Sequence, residues 1–121
     1  MSKMVLIVDD SASMRQLVSF ALKDAGYEVI EAANGKDAIS KLGSAKVEMV
    51  ITDLNMPEMD GISFIKQLRN TPGCKFTPVL MLTTESQESK KQEGKQAGAS
   101  GWLVKPFTPE QLVETVRKFV K

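Results

Sequence analysis

Apolar and polar positions follow two alternating periods along this chain. Met4-Val5-Leu6-Ile7-Val8 is an apolar run too short for a buried helix, and it predicts a strand covered on both faces. Behind it Met14, Leu17, Val18, Ala21, Leu22 and Ala25 recur at helical spacing, predicting one inward helical face closed by Gly26. A weakly alternating strand is expected over residues 27–32, after which Asn34-Gly35 turns into a second helix carrying Ala38, Ile39 and Leu42. A third strand reaches Asp53, and a third helix follows Asp60-Gly61 with Ile62, Ile65 and Leu68 inward. Val79-Leu80-Met81-Leu82 and Trp102-Leu103-Val104 predict the last two strands. Ser86 is the predicted N-cap of a fourth helix over 86–97, ending near Gly98. Thr108-Pro109-Glu110-Gln111 is a capping box with proline at the first helical position, followed by Leu112, Val113, Val116 and Val120 on one face.

The pattern is a strand–helix unit repeated five times. Such alternation requires right-handed crossovers and a parallel sheet covered on both sides. The expectation is a single domain over 1–121, a doubly wound α/β sandwich of three layers with strand order 2-1-3-4-5. Asn-Gly and Asp-Gly often mark hairpins, but helical patterns follow both pairs here. The fourth helix is the weak element: it has almost no apolar stripe, and an interior Gly94 costs about 1 kcal/mol relative to alanine. It is expected to be the least stable part. Lys121 closes the last helix, the ending expected of a complete protein.

Four of the five strands end in a polar residue suited to phosphoryl chemistry: Asp9-Asp10, Asp53, Thr83 and Lys105. In an open parallel sheet, ligands bind outside the carboxyl ends of the strands, where strand order reverses. Order 2-1-3-4-5 makes strands one and three neighbours at that point, so three carboxylates converge. Like charges that close need a cation to remain ionised together, and hard oxygen ligands suit Mg²⁺ or Mn²⁺ better than zinc. Singly, Asp9-Asp10 also fits a helix N-terminus, Thr83 a strand end and Lys105 the surface. Together the lysine and the cation can neutralise a phosphoryl group on an aspartate, and the threonine hydroxyl can donate to one of its oxygens. Pro106 sets a turn behind Lys105, where a cis bond is compatible with the sequence.

Composition narrows the class. The 16 basic and 15 acidic residues nearly cancel, so charge does not call for nucleic acid. Residues 1–60 carry 6 basic against 10 acidic side chains and residues 61–121 carry 10 against 5, which gives the second half a weak attraction for an acidic partner. Cys74 is the only cysteine and the chain has no histidine to activate it, so it reads as a bystander thiol in a reducing compartment. No segment has the length of a signal-peptide core or a membrane span. A cytoplasmic location, without nucleic acid or membrane partners, is expected.

Asp9-Asp10-Ser11-Ala12-Ser13-Met14-Arg15, Asp53-Leu54-Asn55-Met56-Pro57-Glu58-Met59-Asp60-Gly61, Thr83-Thr84-Glu85 and the segment from Ala97 through Lys105-Pro106-Phe107 closely resemble the receiver domains of bacterial two-component response regulators. The resemblance spans the whole chain, in the correct motif order, and is nearest the single-domain chemotaxis (CheY-like) type. It implies a flavodoxin-like fold with Asp53 as phosphoacceptor. Mg²⁺ would be held by Asp9, Asp10, Asp53 and the backbone carbonyl of Asn55. Lys105 would contact the phosphoryl group, Thr83 would be the switch hydroxyl and Trp102 the switch aromatic. Asn55, Thr84 and Glu85 would tune phosphoryl lifetime. Trp102 stands where many chemotaxis members have tyrosine, and Thr84 where alanine or glycine is common.

The same resemblance implies a monomer served by a histidine kinase of the chemotaxis type, a phosphorylation-dependent output protein such as a flagellar motor switch protein, and a phosphatase. It implies no enzyme beyond catalysis of its own phosphorylation and dephosphorylation. A phosphate sink or an adaptor in another two-component pathway is the alternative role. A flavodoxin-like electron carrier is a distant one, because Asp9-Asp10 would repel an FMN phosphate. A phosphatase of the haloacid dehalogenase type needs a second acid where Asn55 stands.

Overall fold

The computed structural model describes residues 3–42, 46–54, 56, 59–84 and 90–120. Its elements alternate in the predicted order: β1 (Met4–Val8), α1 (Ala12–Asp24), β2 (Glu28–Ala32), α2 (Gly35–Leu42), β3 (Met49–Asp53), α3 (Gly61–Arg69), β4 (Val79–Thr83), α4 (Lys91–Ala97), β5 (Gly101–Val104) and α5 (Pro109–Phe119). All pairings are parallel, in the order β2-β1-β3-β4-β5. The doubly wound flavodoxin-like architecture is therefore present as expected. The Ser86 cap and the closing role of Lys121 fall outside the described residues.

Alternation along the strands assigns each side chain to a layer. Leu6, Val8, Val50, Val79 and Met81 join Ala38, Phe64, Ile65, Leu68 and Ala97 beneath α2, α3 and α4. Val5, Ile7, Ile51, Leu80 and Leu82 join Val18, Leu22, Leu112 and Val116 beneath α1 and α5. Strands β3 and β4 are buried along their full length, as expected of central strands covered on both faces.

Side chains fasten the helix starts, and of these caps the sequence predicts the Thr108 box. Asp60 Oδ1 accepts the Ser63 N–H at 2.8 Å, and Asn34 Oδ1 accepts the Asp37 N–H at 2.7 Å. The Thr108 and Gln111 side chains cap each other's backbone N–H at 3.1 and 2.9 Å. Strand β2 begins one residue later than predicted. Tyr27 instead donates its backbone N–H to Leu22 O at 3.0 Å, which closes α1.

Two local expectations need correction. Leu17 was expected inward, yet it is 46% exposed, and Phe20 is 75% exposed. The buried face of α1 is Val18, Ser19, Ala21 and Leu22, and Leu17 and Phe20 instead line an open groove against Pro109 and Val113 of α5. Helical spacing defines a stripe, but the neighbouring helix decides where its edge falls.

The second concerns what α4 buries: Gly94 and Ala97 pack inward, so the helix buries more than its sequence suggests, although Gly94 keeps its expected cost in helix propensity. A β-carbon added at Gly94 would meet Met81 Sδ and Trp102 Cζ2 at 3.5 Å, an ordinary contact distance. Gly94→Ala is therefore expected to stabilise the protein by about 0.5–1 kcal/mol through helix propensity and a less flexible unfolded chain. Urea unfolding tests this, and a lowered midpoint would show that the indole requires the glycine.

A further tie was not legible in the sequence. Arg69 donates from Nη1 to Cys74 O and Thr77 O at 2.9 and 2.7 Å, and from Nη2 to Gly98 O at 2.6 Å. It fastens the end of α4 to the loop before β4. Partial burial lowers its pKa. Cys74 is buried in the adjacent core, as suits a bystander thiol.

Candidate active site at the carboxyl edge of the sheet

Strand register brings the predicted residues together. Val8 pairs with Thr52, so Asp9 and Asp53 emerge side by side from β1 and β3. Asp53 pairs with Leu82, which places Thr83 one residue beyond it, and Thr83 pairs with Val104, which precedes Lys105. The Lys105 backbone N–H donates to Thr83 O at 2.6 Å. The peptide bond between Lys105 and Pro106 is cis.

Carboxylate oxygens of Asp9, Asp10 and Asp53 lie within 4.8 Å of one another. Asp9 and Asp53 are buried, whereas Asp10 is exposed. Lys105 Nζ donates to Asp53 Oδ1 at 2.8 Å. Three acids therefore cluster together, and the Lys105 ammonium group reaches one of them, Asp53.

Asp9 is fixed within this edge. Its N–H donates to Ala32 O at 3.1 Å, and its Oδ1 accepts the Ser11 N–H at 2.9 Å. Ser11 is also the N-cap of α1, where its hydroxyl accepts the Met14 N–H at 3.3 Å. Asp9 Oδ2 remains buried with no hydrogen-bond partner among the described residues. An ionised, unpartnered oxygen is costly to bury, and a hard cation between the three acids would satisfy it. The donor set fits Mg²⁺ or Mn²⁺.

Burial pushes the Asp9 pKa up. The Ser11 N–H and Lys105 oppose that rise, while Asp53 and Asp10 add to it. Folded Asp9 thus keeps its proton to higher pH than unfolded Asp9, so its contribution to stability falls as pH rises through that interval. In chelator, Asp9→Asn should be more stable than the wild type at neutral pH. The advantage should vanish in acid, below the ordinary aspartate range, where the wild-type group is protonated in both states. Paired urea titrations check this. A less stable Asp9→Asn at neutral pH would mean that the contacts of the carboxylate outweigh its desolvation.

Thr83 is buried at the end of β4, and its Oγ1 has no hydrogen-bond partner among the described residues. Trp102 lies on β5 opposite Met81, partly buried against the α2–α4 layer, and its Nε1 is likewise buried without a partner among them. Thr84 is exposed. Asn55 and Glu85, the other expected lifetime-tuning positions, lie outside the described residues.

Gly61 was not singled out as a site residue by sequence. Its N–H donates to Leu54 O at 2.8 Å, and a β-carbon there would stand 2.5 Å from Asp53 O. The Asp60-Gly61 turn was visible in the sequence, but this close approach was not.

The response regulator receiver domain family model matches residues 5–117. A chemotaxis protein, CheY1 of Helicobacter pylori, is 41% identical over 112 residues, covering 91% of this chain and 90% of that protein. The structure of the chemotaxis response regulator CheY4 of Vibrio cholerae superposes with a TM-score of 0.94 at 52% identity, covering 99% of this chain and 100% of that one. The receiver domain of a Pseudomonas aeruginosa sensor histidine kinase, whose structure has a magnesium ion coordinated in the active site cleft, shares the fold with a TM-score of 0.89 at 23% identity, covering 98% of each chain.

Proposed function

The chain belongs to the response regulator receiver domains, and on that premise we propose that it is a phosphorylation-activated switch of a two-component system with Asp53 as phosphoacceptor. One observation carries this reading: three carboxylates converge within 4.8 Å while Lys105 Nζ stands 2.8 Å from Asp53. Asp9, Asp10 and Asp53 would hold Mg²⁺, together with the backbone carbonyl of Asn55. When bound, the cation offsets the negative charge of the acids and of an incoming phosphoryl group.

An Asp53 carboxylate oxygen attacks the phosphorus of a kinase phosphohistidine. An O–P bond forms as the donor N–P bond breaks, and the histidine nitrogen leaves with the electron pair and takes up a solvent proton. Lys105 moves its hydrogen bond from the carboxylate to a phosphoryl oxygen, stabilising the charge on the transferred group. Water later cleaves the acyl phosphate to inorganic phosphate and free Asp53. The chain thus catalyses only its own modification and its reversal.

The switch rests on two unsatisfied groups. Thr83 Oγ1 and Trp102 Nε1 are both buried without partners among the described residues, and an unmade buried hydrogen bond costs about 1–3 kcal/mol. A phosphoryl oxygen gives the Thr83 hydroxyl an acceptor and draws it toward the site. The indole, which packs against Gly94 of α4, then has space to turn and reshape the surface of α4, β5 and α5. A ligand that binds one of two conformations better shifts the population toward it.

The similarity to chemotaxis proteins supports an output of the motor-switch kind. With Mg²⁺, the phosphoryl mimic beryllofluoride should shift Trp102 emission to the blue, and Thr83→Ala should weaken the shift. A purified flagellar motor switch protein should be retained only in the presence of the mimic. Retention that is equal or absent in both states, with mimic binding confirmed independently, would favour a phosphate sink or an adaptor of another pathway.

A further inference from the structure

Asp9 is held at every polar atom except Oδ2, which is buried with no hydrogen-bond partner among the described residues. Beyond the bonds from Ser11 and to Ala32, its backbone carbonyl accepts from Arg15 Nη1 at 2.6 Å. Arg15 stands one turn into α1, its own N–H donating to Ser11 O at 3.0 Å. Its Nε lies 3.5 Å from Glu31 Oε1 on β2, and the side chain is only 20% exposed. One guanidinium therefore joins the first turn of α1, the edge strand β2 and the turn that carries Asp9 and Asp10.

We propose that Arg15 is a positioning residue for the cation site, presetting the Asp9-Asp10 turn before the ion arrives. This rests on the proposal above that the acidic cluster holds Mg²⁺. The choice of acceptor atom is what makes the role specific. A guanidinium beside a carboxylate usually pairs with it, neutralising the charge and competing with a metal. Arg15 grips the Asp9 carbonyl instead, while Asp9 Oδ2 stays unpartnered. The turn gains a rigid anchor, and the ligand oxygen stays available. Asp10 has most to gain, because it is exposed on the same turn and is repelled by the other two acids.

Charge and geometry predict opposite signs, which makes the inference decidable. Removing a nearby positive charge should, by Coulomb's law alone, tighten binding of a divalent cation. Removing an anchor should loosen it. Outer-shell partners of metal ligands typically contribute 10–100-fold to affinity, and an anchor acting through the backbone belongs at the low end.

Calorimetric titration with MgCl₂ should therefore give a dissociation constant about tenfold higher for Arg15→Met than for the wild type. Arg15→Lys, which keeps the charge but loses the forked donor, should fall between them. Labelling by acetyl phosphate should be slow in Arg15→Met at low Mg²⁺ and approach the wild-type rate at saturation, since the reacting groups are untouched. Equal or tighter Mg²⁺ binding by Arg15→Met would overturn the proposal. If that variant does not fold, wild-type affinity in Arg15→Lys would overturn it instead. A wild-type chain that binds no Mg²⁺ would reject the metal site itself, a result distinguishable from either.

Discussion

Asp53→Asn is expected to abolish labelling by acetyl phosphate and by a phosphohistidine kinase, while the wild type should gain the mass of one phosphoryl group. The substitution is nearly isosteric, so the end of β3 and its pairing with β4 are retained. It removes the anionic oxygen that must attack phosphorus, and a neutral amide is a far poorer nucleophile. It also removes the partner of Lys105, whose Nζ stands 2.8 Å from Asp53 Oδ1. Neither Asp9 nor Asp10 is placed to replace it. Asp9 is tied to the Ser11 N–H and Asp10 is exposed, whereas Asp53 is the buried acid that Lys105 contacts. Intact-mass measurement with and without chelator decides the point, since labelling of the wild type must also disappear when the divalent cation is removed. Undiminished labelling of the variant would move the phosphoacceptor to another residue.

Gly61→Ala is expected to destabilise the protein by about 1–3 kcal/mol, the usual cost of overpacking, and to impair labelling of Asp53. The new β-carbon would stand 2.5 Å from Asp53 O and 3.0 Å from Leu54 Cα. Both obstacles are backbone, so no side chain can swing aside to relieve the clash. Relief has to come from moving the first turn of α3 or the end of β3, and the latter carries Asp53, the proposed phosphoacceptor. The same substitution at Gly94 has the opposite expected sign, because its neighbours there are side chains at ordinary contact distance. Denaturant midpoints and labelling rates of the two variants, measured side by side, test the contrast. An unchanged midpoint for Gly61→Ala would show that the α3 entry can relax without cost.

The sequence by itself determined the architecture and the membership of the site. A five-residue apolar strand followed by a helical stripe, five times over, leaves the parallel doubly wound sheet as the economical arrangement, because its central strands must be covered on both faces. Parallel strands deliver all their carboxyl ends to one edge. Asp9, Asp10, Asp53, Thr83 and Lys105 thus meet through topology, and their positions along the strands were enough to place them. The Thr108 capping box was legible because it acts on a residue three positions away, within reach of sequence reading.

Tertiary structure alone decided whatever depends on the spacing between elements. Leu17 belongs to the apolar stripe of α1, but the position of α5 leaves it at the rim of a groove. Gly94 costs helix propensity as its sequence implies, but only the packed structure places it against Met81 and Trp102. Gly61 is required by a backbone approach that turn chemistry does not reveal. Arg69 and Arg15 are unremarkable as charged helical residues, yet each grips backbone carbonyls contributed by other segments. The physical reason is common to all five. Periodicity specifies which way a side chain faces relative to its own backbone, whereas distances between elements are set by how whole layers pack.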